Sequence, residues 1–313
     1  MQDRTYSDLL FLVQSLIGAG NLTTEEQGSI DSFINRRAHE AFQTSQSWPR
    51  FLVSSEERNI IAYVLSGATS STITDVNANY KFIGLNDGDI GKAGTKVYED
   101  SNPSAPVILI YKNSSNAWIV TYDAGFSINA DGTVDITSAG TTQFTEADSV
   151  KKDRVEDVET WTPRAGSDVL SVSAKNLIPY AQTNKNNIGE FLKIHRKKAY
   201  INNSSIEYDF FVDSDGGNIL NIANTSDGTA FVTYKKELPQ YTITSTDIPG
   251  EWFFFIAHGS YADFLRMEGQ IEKALIEEET AQKYLAMELE KIDNMSNNNV
   301  FRRFSTHGTR QSR

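Results

Sequence analysis

Chemistry in this chain has to come from a small set of residues. The four histidines, His39, His195, His258 and His307, fall in four separate segments, and none has a second histidine at ligand spacing. Cysteine does not occur, which excludes disulfides, thiolate metal sites, iron–sulfur clusters and cysteine nucleophiles. Asp213-Ser214-Asp215-Gly216 resembles the start of a calcium loop, whose closely spaced oxygens suit a hard cation. The twelfth position is Asn224, however, not a bidentate glutamate. Asp87-Gly88-Asp89 shares that weakness, and both stretches read as hairpin turns. Gly18-Ala19-Gly20 lacks the third glycine and the preceding strand of a phosphate loop. The acidic runs Glu56-Glu57 and Glu277-Glu278-Glu279 read as solvated helix faces, not as a paired-carboxylate hydrolase. Six aromatics, Tyr80, Phe82, Tyr98, Tyr111, Trp118 and Tyr122, have the character of a sugar-binding groove, and equally of the core a small β domain must fill. No catalytic residue, cofactor or metal is expected, and the chain does not read as an enzyme.

The elements that would position these residues follow from patterning. The chain has 313 residues, a length that suggests two or three domains, with 39% apolar residues to build cores. Its formal charge of -12 counts against general nucleic-acid binding. No apolar run reaches membrane-spanning length and no signal-peptide pattern opens the sequence, so a soluble protein is expected. Residues 1–65 read as an N-terminal helical part. Leu9, Leu10, Val13 and Ile17 predict a first helix. Thr23 with Glu26 forms a capping box that opens a second, striped by Ile30, Ile34, Ala38 and Ala41 over about 25–46. Glu56-Glu57-Arg58 reads as a short helix or turn.

From 66 to 148 the sequence becomes rich in Gly, Thr, Ser and Asn, with short period-two runs that predict a small inserted antiparallel β domain. A mixed-charge connector follows over 149–168, then a second β domain, sandwich- or barrel-like, over 169–249. Residues 250–295 contain no proline and predict one long helix or two stacked ones, with Gly259 and Gly269 as the places to bend. Residues 296–313 carry Arg302, Arg303, Arg310 and Arg313 with no acidic residue, and read as a flexible basic tail. The fold class expected is α+β: a bundle of the N-terminal helices with a long C-terminal helix, beside β structure.

Three stretches carry a family resemblance. Trp48-Pro49-Arg50-Phe51-Leu52 followed by Glu56-Glu57-Arg58 resembles a segment near the start of tailed-bacteriophage head-to-tail adaptor (connector, or neck) proteins. Val232-Thr233-Tyr234-Lys235-Lys236-Glu237-Leu238-Pro239-Gln240-Tyr241-Thr242 is similar to their last strand and turn. The run from Ala257 to Ala274, with Gly259, Ala262, Asp263, Leu265, Arg266, Glu268, Gly269, Gln270 and Lys273, resembles their C-terminal helix. The resemblance covers roughly 1–65 and 185–295. It implies a homo-oligomeric ring, dodecameric in the family, that joins the portal to the tail in the virion after assembly in the host cytoplasm, with DNA only as channel contents. It places Asp263, Arg266, Glu268, Gln270 and Lys273 on helix surfaces in or near subunit contacts. Trp48 and Arg58 join them as interface candidates. The Arg302–Arg313 tail would reach the portal protein, and the opposite side of the ring would meet a tail, nozzle or tube protein. The insertion at about 70–145 departs from simpler members and would face outward, towards fibres or glycan. A neck stopper, a tail terminator and a tail-side binding module are the alternatives.

Overall fold

The computed structural model describes residues 3–18, 22–68, 76–101, 106–198, 207–220 and 228–308, the last stretch without side chains beyond 294. The chain is α+β and divides into two compact units: a helical one, Met1–Leu52 with Glu237–Arg313, and a β one, Val53–Lys236. Among the described residues no helix is long and apolar enough to cross a membrane.

In the helical unit, α1 (Tyr6–Ile17) and α2 (Thr24–Gln43) both open on capping boxes. The Thr5 and Thr23 hydroxyls accept from the amides of Asp8 and Glu26, whose carboxylates accept in return from the threonine amides. These boxes satisfy amides that a bare helix start leaves without partners. The stripes Leu9, Leu10, Val13 and Ile30, Ile34, Ala38, Ala41 meet Trp252, Phe255, Ile256, Ala281 and Leu285 in one core.

Residues 250–295 form two helices, α3 (Phe253–Met267) and α4 (Ile271–Gly308). The stop is local. Gly269 sits at φ 75°, its amide donates to the Arg266 carbonyl at 3.1 Å, and the Gln270 amide reaches back to Leu265 at 2.8 Å. That pair of bonds is the Schellman ending, which needs a left-handed residue. The chain then reverses, and α3 and α4 pack antiparallel: Phe254 stacks on Tyr284, and His258 pairs with Glu277. A Cβ at Gly269 would meet nothing within 4 Å. Gly269→Ala should therefore cost only the left-handed penalty, about 1–2 kcal/mol, visible as a modestly lower helical melting temperature with no change in helix content. The flexible tail expected from 296 is corrected in part. With no proline after Pro249, helix propagation carries α4 through Arg302 and Arg303 to Gly308. Arg310 and Arg313 lie outside the described residues.

In the β unit, β1 (Leu52–Asn59), β12 (Ile188–His195) and β15 (Thr229–Lys236) form a three-stranded sheet in the order β1-β15-β12. Twelve strands form a second sheet: β2 (Ile61–Ser66), β3 (Asn79–Asn86), β4 (Lys96–Asp100), β5 (Ile108–Lys112), β6 (Trp118–Tyr122), β7 (Gly125–Ile128), β8 (Thr133–Ser138), β9 (Thr141–Glu146), β10 (Trp161–Pro163), β11 (Ser171–Pro179), β13 (Phe210–Val212) and β14 (Gly216–Ile219). Its path runs β10-β9-β6-β5-β4-β3-β2-β11-β14-β13, with the β7–β8 hairpin attached at β3, and no closed barrel forms among the described residues. Ile178 and Ile219 of the large sheet share a core with Ile188, Phe191, Ile194, Val232 and Tyr234 of the small one, so this part is a sandwich.

Because β2 pairs with both β3 and β11, the strands of 66–148 extend the same sheet as β11, β13 and β14 of 169–249. The composition change at residue 66 marks no break in hydrogen bonding. Strands β4 to β6 are buried on both faces. Val97, Leu109, Tyr111 and Ile119 pack under Val134 and Ile136, whereas Tyr98, Ile108, Ile110, Trp118 and Val120 pack under Val155, Val158, Trp161 and Leu170. The 149–168 connector is thus a cover for one sheet face. Glu56-Glu57-Arg58, expected as helix or turn, is extended within β1. Its partners on β15 are remote in sequence, and they decide the conformation.

Candidate interaction sites

Several residues singled out for subunit contacts have work inside the chain. Trp48 is buried, donates its indole N–H to the Ala41 carbonyl at 2.9 Å, and meets Trp252 edge-to-face at 5.3 Å. Arg58 is fully buried in the β unit. Its Nη2 donates to the Tyr234 hydroxyl and the Asn186 carbonyl, each at 2.6 Å, and lies 2.7 Å from Glu56. These two are corrected to interior residues: an aromatic core and a buried charge each needed closing, and neither side chain is left for a partner.

Asp263 is interior as well. Arg37 grips it with two bonds of 2.8 Å, Arg266 donates to it at 2.8 Å, and Arg36 forms a third pair with it. Arg37 also donates to Glu278 at 2.6 and 2.9 Å and to Glu40 at 3.0 Å, while Arg266 reaches Glu278 at 3.1 Å. Three guanidinium groups thus interleave with three carboxylates, tying α2 to the α3–α4 hairpin. Gly259 makes room for this, since a Cβ there would stand 3.0 Å from Arg37 Cδ. Burial raises the Glu278 carboxyl, but hydrogen bonds from Arg37, Gln282 and Arg266 outweigh it and hold the group at about 2. The same balance leaves Arg37 above its ordinary range. Glu268, Gln270 and Lys273 are exposed, as expected of surface residues, at the α3–α4 turn.

The helical unit also exposes apolar side chains. On α4, Ala274, Ala281, Leu285 and Ile292 face the core. At 3.6 residues per turn, Ile276 and Met287 project within about 20° of each other and about 150° from that stripe. Both are more than half exposed, as are Ile271 and Leu275 on its flank and Phe11 on α1.

In the β unit the six aromatics fill or flank cores and do not form an open groove: Tyr80, Tyr98, Tyr111 and Trp118 are buried, with Phe82 and Tyr122 packed against them. Beside Tyr98 and Trp118, however, lies an open depression of about 560 Å³ that sequence reading missed. Four cations line it: Lys96 from β4, Lys112 from β5, Lys92 from the loop before β4, and Arg154 from the connector. Lys92 donates to Asn116 at 2.7 Å, and Arg154 stands 3.9 Å from Glu156, which accepts from the Tyr63 hydroxyl at 2.5 Å. Lys112 is only 5% exposed and lies over the Trp118 ring at 5.1 Å. Burial pushes the pKa of Lys112 and of Lys96 down.

The remaining candidates are weaker. Asp213 accepts from the amides of Asp215 and Gly216 and from the Asn218 amide side chain, so it builds the expected hairpin turn. Asp135 joins Asp87 and Asp89 in a cluster whose oxygens lie within 4.8 Å of one another, a grouping that spacing alone did not show. His258 Nδ1 lies 2.7 Å from Glu277, and His195 is buried near Glu207, each without a second histidine among the described residues. Compared with family models, curated proteins and solved structures, the chain gives no match.

Proposed function

We propose that the chain is a structural ring subunit, an adaptor joining the portal of a tailed bacteriophage to its tail. The observation that supports this most is the second apolar face of α4. A lone subunit gains nothing from an isoleucine and a methionine opposite its packing seam, whereas a neighbouring copy in a closed ring would cover them. The sequence resemblance of α3 and the α3–α4 turn supports the same reading, as does the reach of α4. From Ile292, its last core residue among those with described side chains, to Gly308 it runs roughly 24 Å further at 1.5 Å per residue. In this role the activity is mechanical: helices of adjacent subunits line a channel, and an acidic wall offers passing DNA little counterion-release binding.

Native mass spectrometry of the purified chain, alone and mixed with portal rings, tests the proposal. A stoichiometric ring formed on the portal is expected, and Ile276→Asp with Met287→Asp should reduce its yield at least tenfold while leaving the monomer folded. A ring stable without portal would shift the role to stopper or terminator. A monomer indifferent to portal would overturn the proposal.

A further inference from the structure

The depression beside β4, β5 and β6 has a feature that packing alone does not explain. A lysine with almost no exposed surface is costly to keep charged unless a counter-charge stands beside it. Two carboxylates attract Lys112: Asp153 is 3.8 Å away but fully exposed, so solvent screens most of that attraction, and the buried Glu146 already accepts from the Trp118 and Lys152 amides. Lys92, Lys96 and Arg154 add charge of the same sign around the hollow, in a chain whose total is -12. Four cations against one lining carboxylate leave the hollow with an excess of positive charge, which suits an anion.

Size and lining narrow the ligand. The volume falls within the range of small-molecule sites and far exceeds a bare oxyanion. Tyr63, Tyr98 and Trp118 are buried to within a few per cent, and Lys112 lies over the Trp118 ring, so they leave no free face on which a nucleobase could stack. The accessible groups are ammonium, guanidinium, the Asn116 amide, the Thr95 hydroxyl and the Asp153 carboxylate, donors and an acceptor that suit a ligand carrying hydroxyls beside its anionic group. We infer that this depression binds an acidic saccharide, a sugar ring carrying a carboxylate or a phosphate, with the anionic group paired to Lys112 and the hydroxyls met by Lys92, Lys96 and Asn116.

Calorimetric or NMR titration of the full chain tests this with sialyllactose and oligogalacturonate as carboxylate probes and glucose 6-phosphate as the phosphate probe. Lactose and glucose are the neutral controls, and inorganic phosphate and ATP the competitors. Saturable binding of at least one acidic sugar is expected, weakening as salt is raised. Lys112→Met should weaken it at least about tenfold, because the buried charge pair is lost. Lys92→Ala and Arg154→Ala, at exposed positions that leave the core intact, should each weaken it severalfold, so the result stands even where Lys112→Met fails to fold. Which acidic probe binds identifies the source of the anion. Neutral sugars binding as well as acidic ones, inorganic phosphate or ATP binding as tightly as any sugar, or affinity unchanged in the Lys92 and Arg154 variants would each overturn the assignment. None of these results depends on ring formation.

Discussion

Replacing Asp263 with alanine is expected to destabilise the helical unit by about 3–5 kcal/mol, the cost of leaving buried charges without their partner. Its carboxylate is the shared acceptor of Arg36, Arg37 and Arg266, and Arg37 is only 6% exposed. Asp263→Asn keeps the shape and loses the charge, so it should cost nearly as much. In Arg37→Met with Asp263→Leu the two buried charges disappear together, and that pair should cost less than the sum of the single changes. Urea unfolding followed by far-UV circular dichroism measures these three and the two single changes, Arg37→Met and Asp263→Leu, that complete the cycle. Strict additivity would show that the two side chains do not act as a pair. The same network sets an acid limit. Glu278 ionises at about 2 in the folded chain against an ordinary 4.5. Its contribution is therefore complete above 4.5 and is lost as pH falls from there towards 2. Glu278→Gln should flatten that part of the stability curve and lower the plateau above it.

Trp252→Ala should cost about 3–5 kcal/mol for a different reason, the cavity left by a large buried ring. Trp252 has no exposed surface, stacks on Phe51 at 5.1 Å, and meets Trp48 and Phe42 edge-on at 5.3 and 6.4 Å. These contacts hold the segment entering α3 against the exit of α2. Its indole N–H has no hydrogen-bond partner among the described residues. Trp252→Phe therefore loses volume without losing a bond and should cost less than half as much as alanine. Chemical denaturation of both variants decides it. Equal losses would mean that the indole N–H, through a bound water, carries the stability.

The parts legible in the sequence were those written in nearest neighbours. Thr23 and Glu26 announced the start of α2 and Ile30, Ile34 and Ala38 its buried face, because capping and periodicity are settled within a turn or two of chain; of the two glycines marked as possible bends, Gly269 breaks the C-terminal helix and Gly259 lies within α3. The period-two runs of β4, β5 and β6 announced strands in the same way. Only tertiary structure joined residues whose separation carries no local signal. Arg37 meets Asp263 across 226 positions and Glu278 across 241, so a surface reading of Asp263 became a buried one. Glu56 and Arg58 extend into β1 because the strand partner and the Tyr234 hydroxyl lie on β15. Lys92, Lys96, Lys112 and Arg154 look like isolated surface charges along the chain. They form one cationic hollow because sheet pairing sets β4 beside β5 and the connector folds back over Trp118. Local propensity chose the elements. Burial and charge pairing between distant elements chose which side chains remained free to meet a partner.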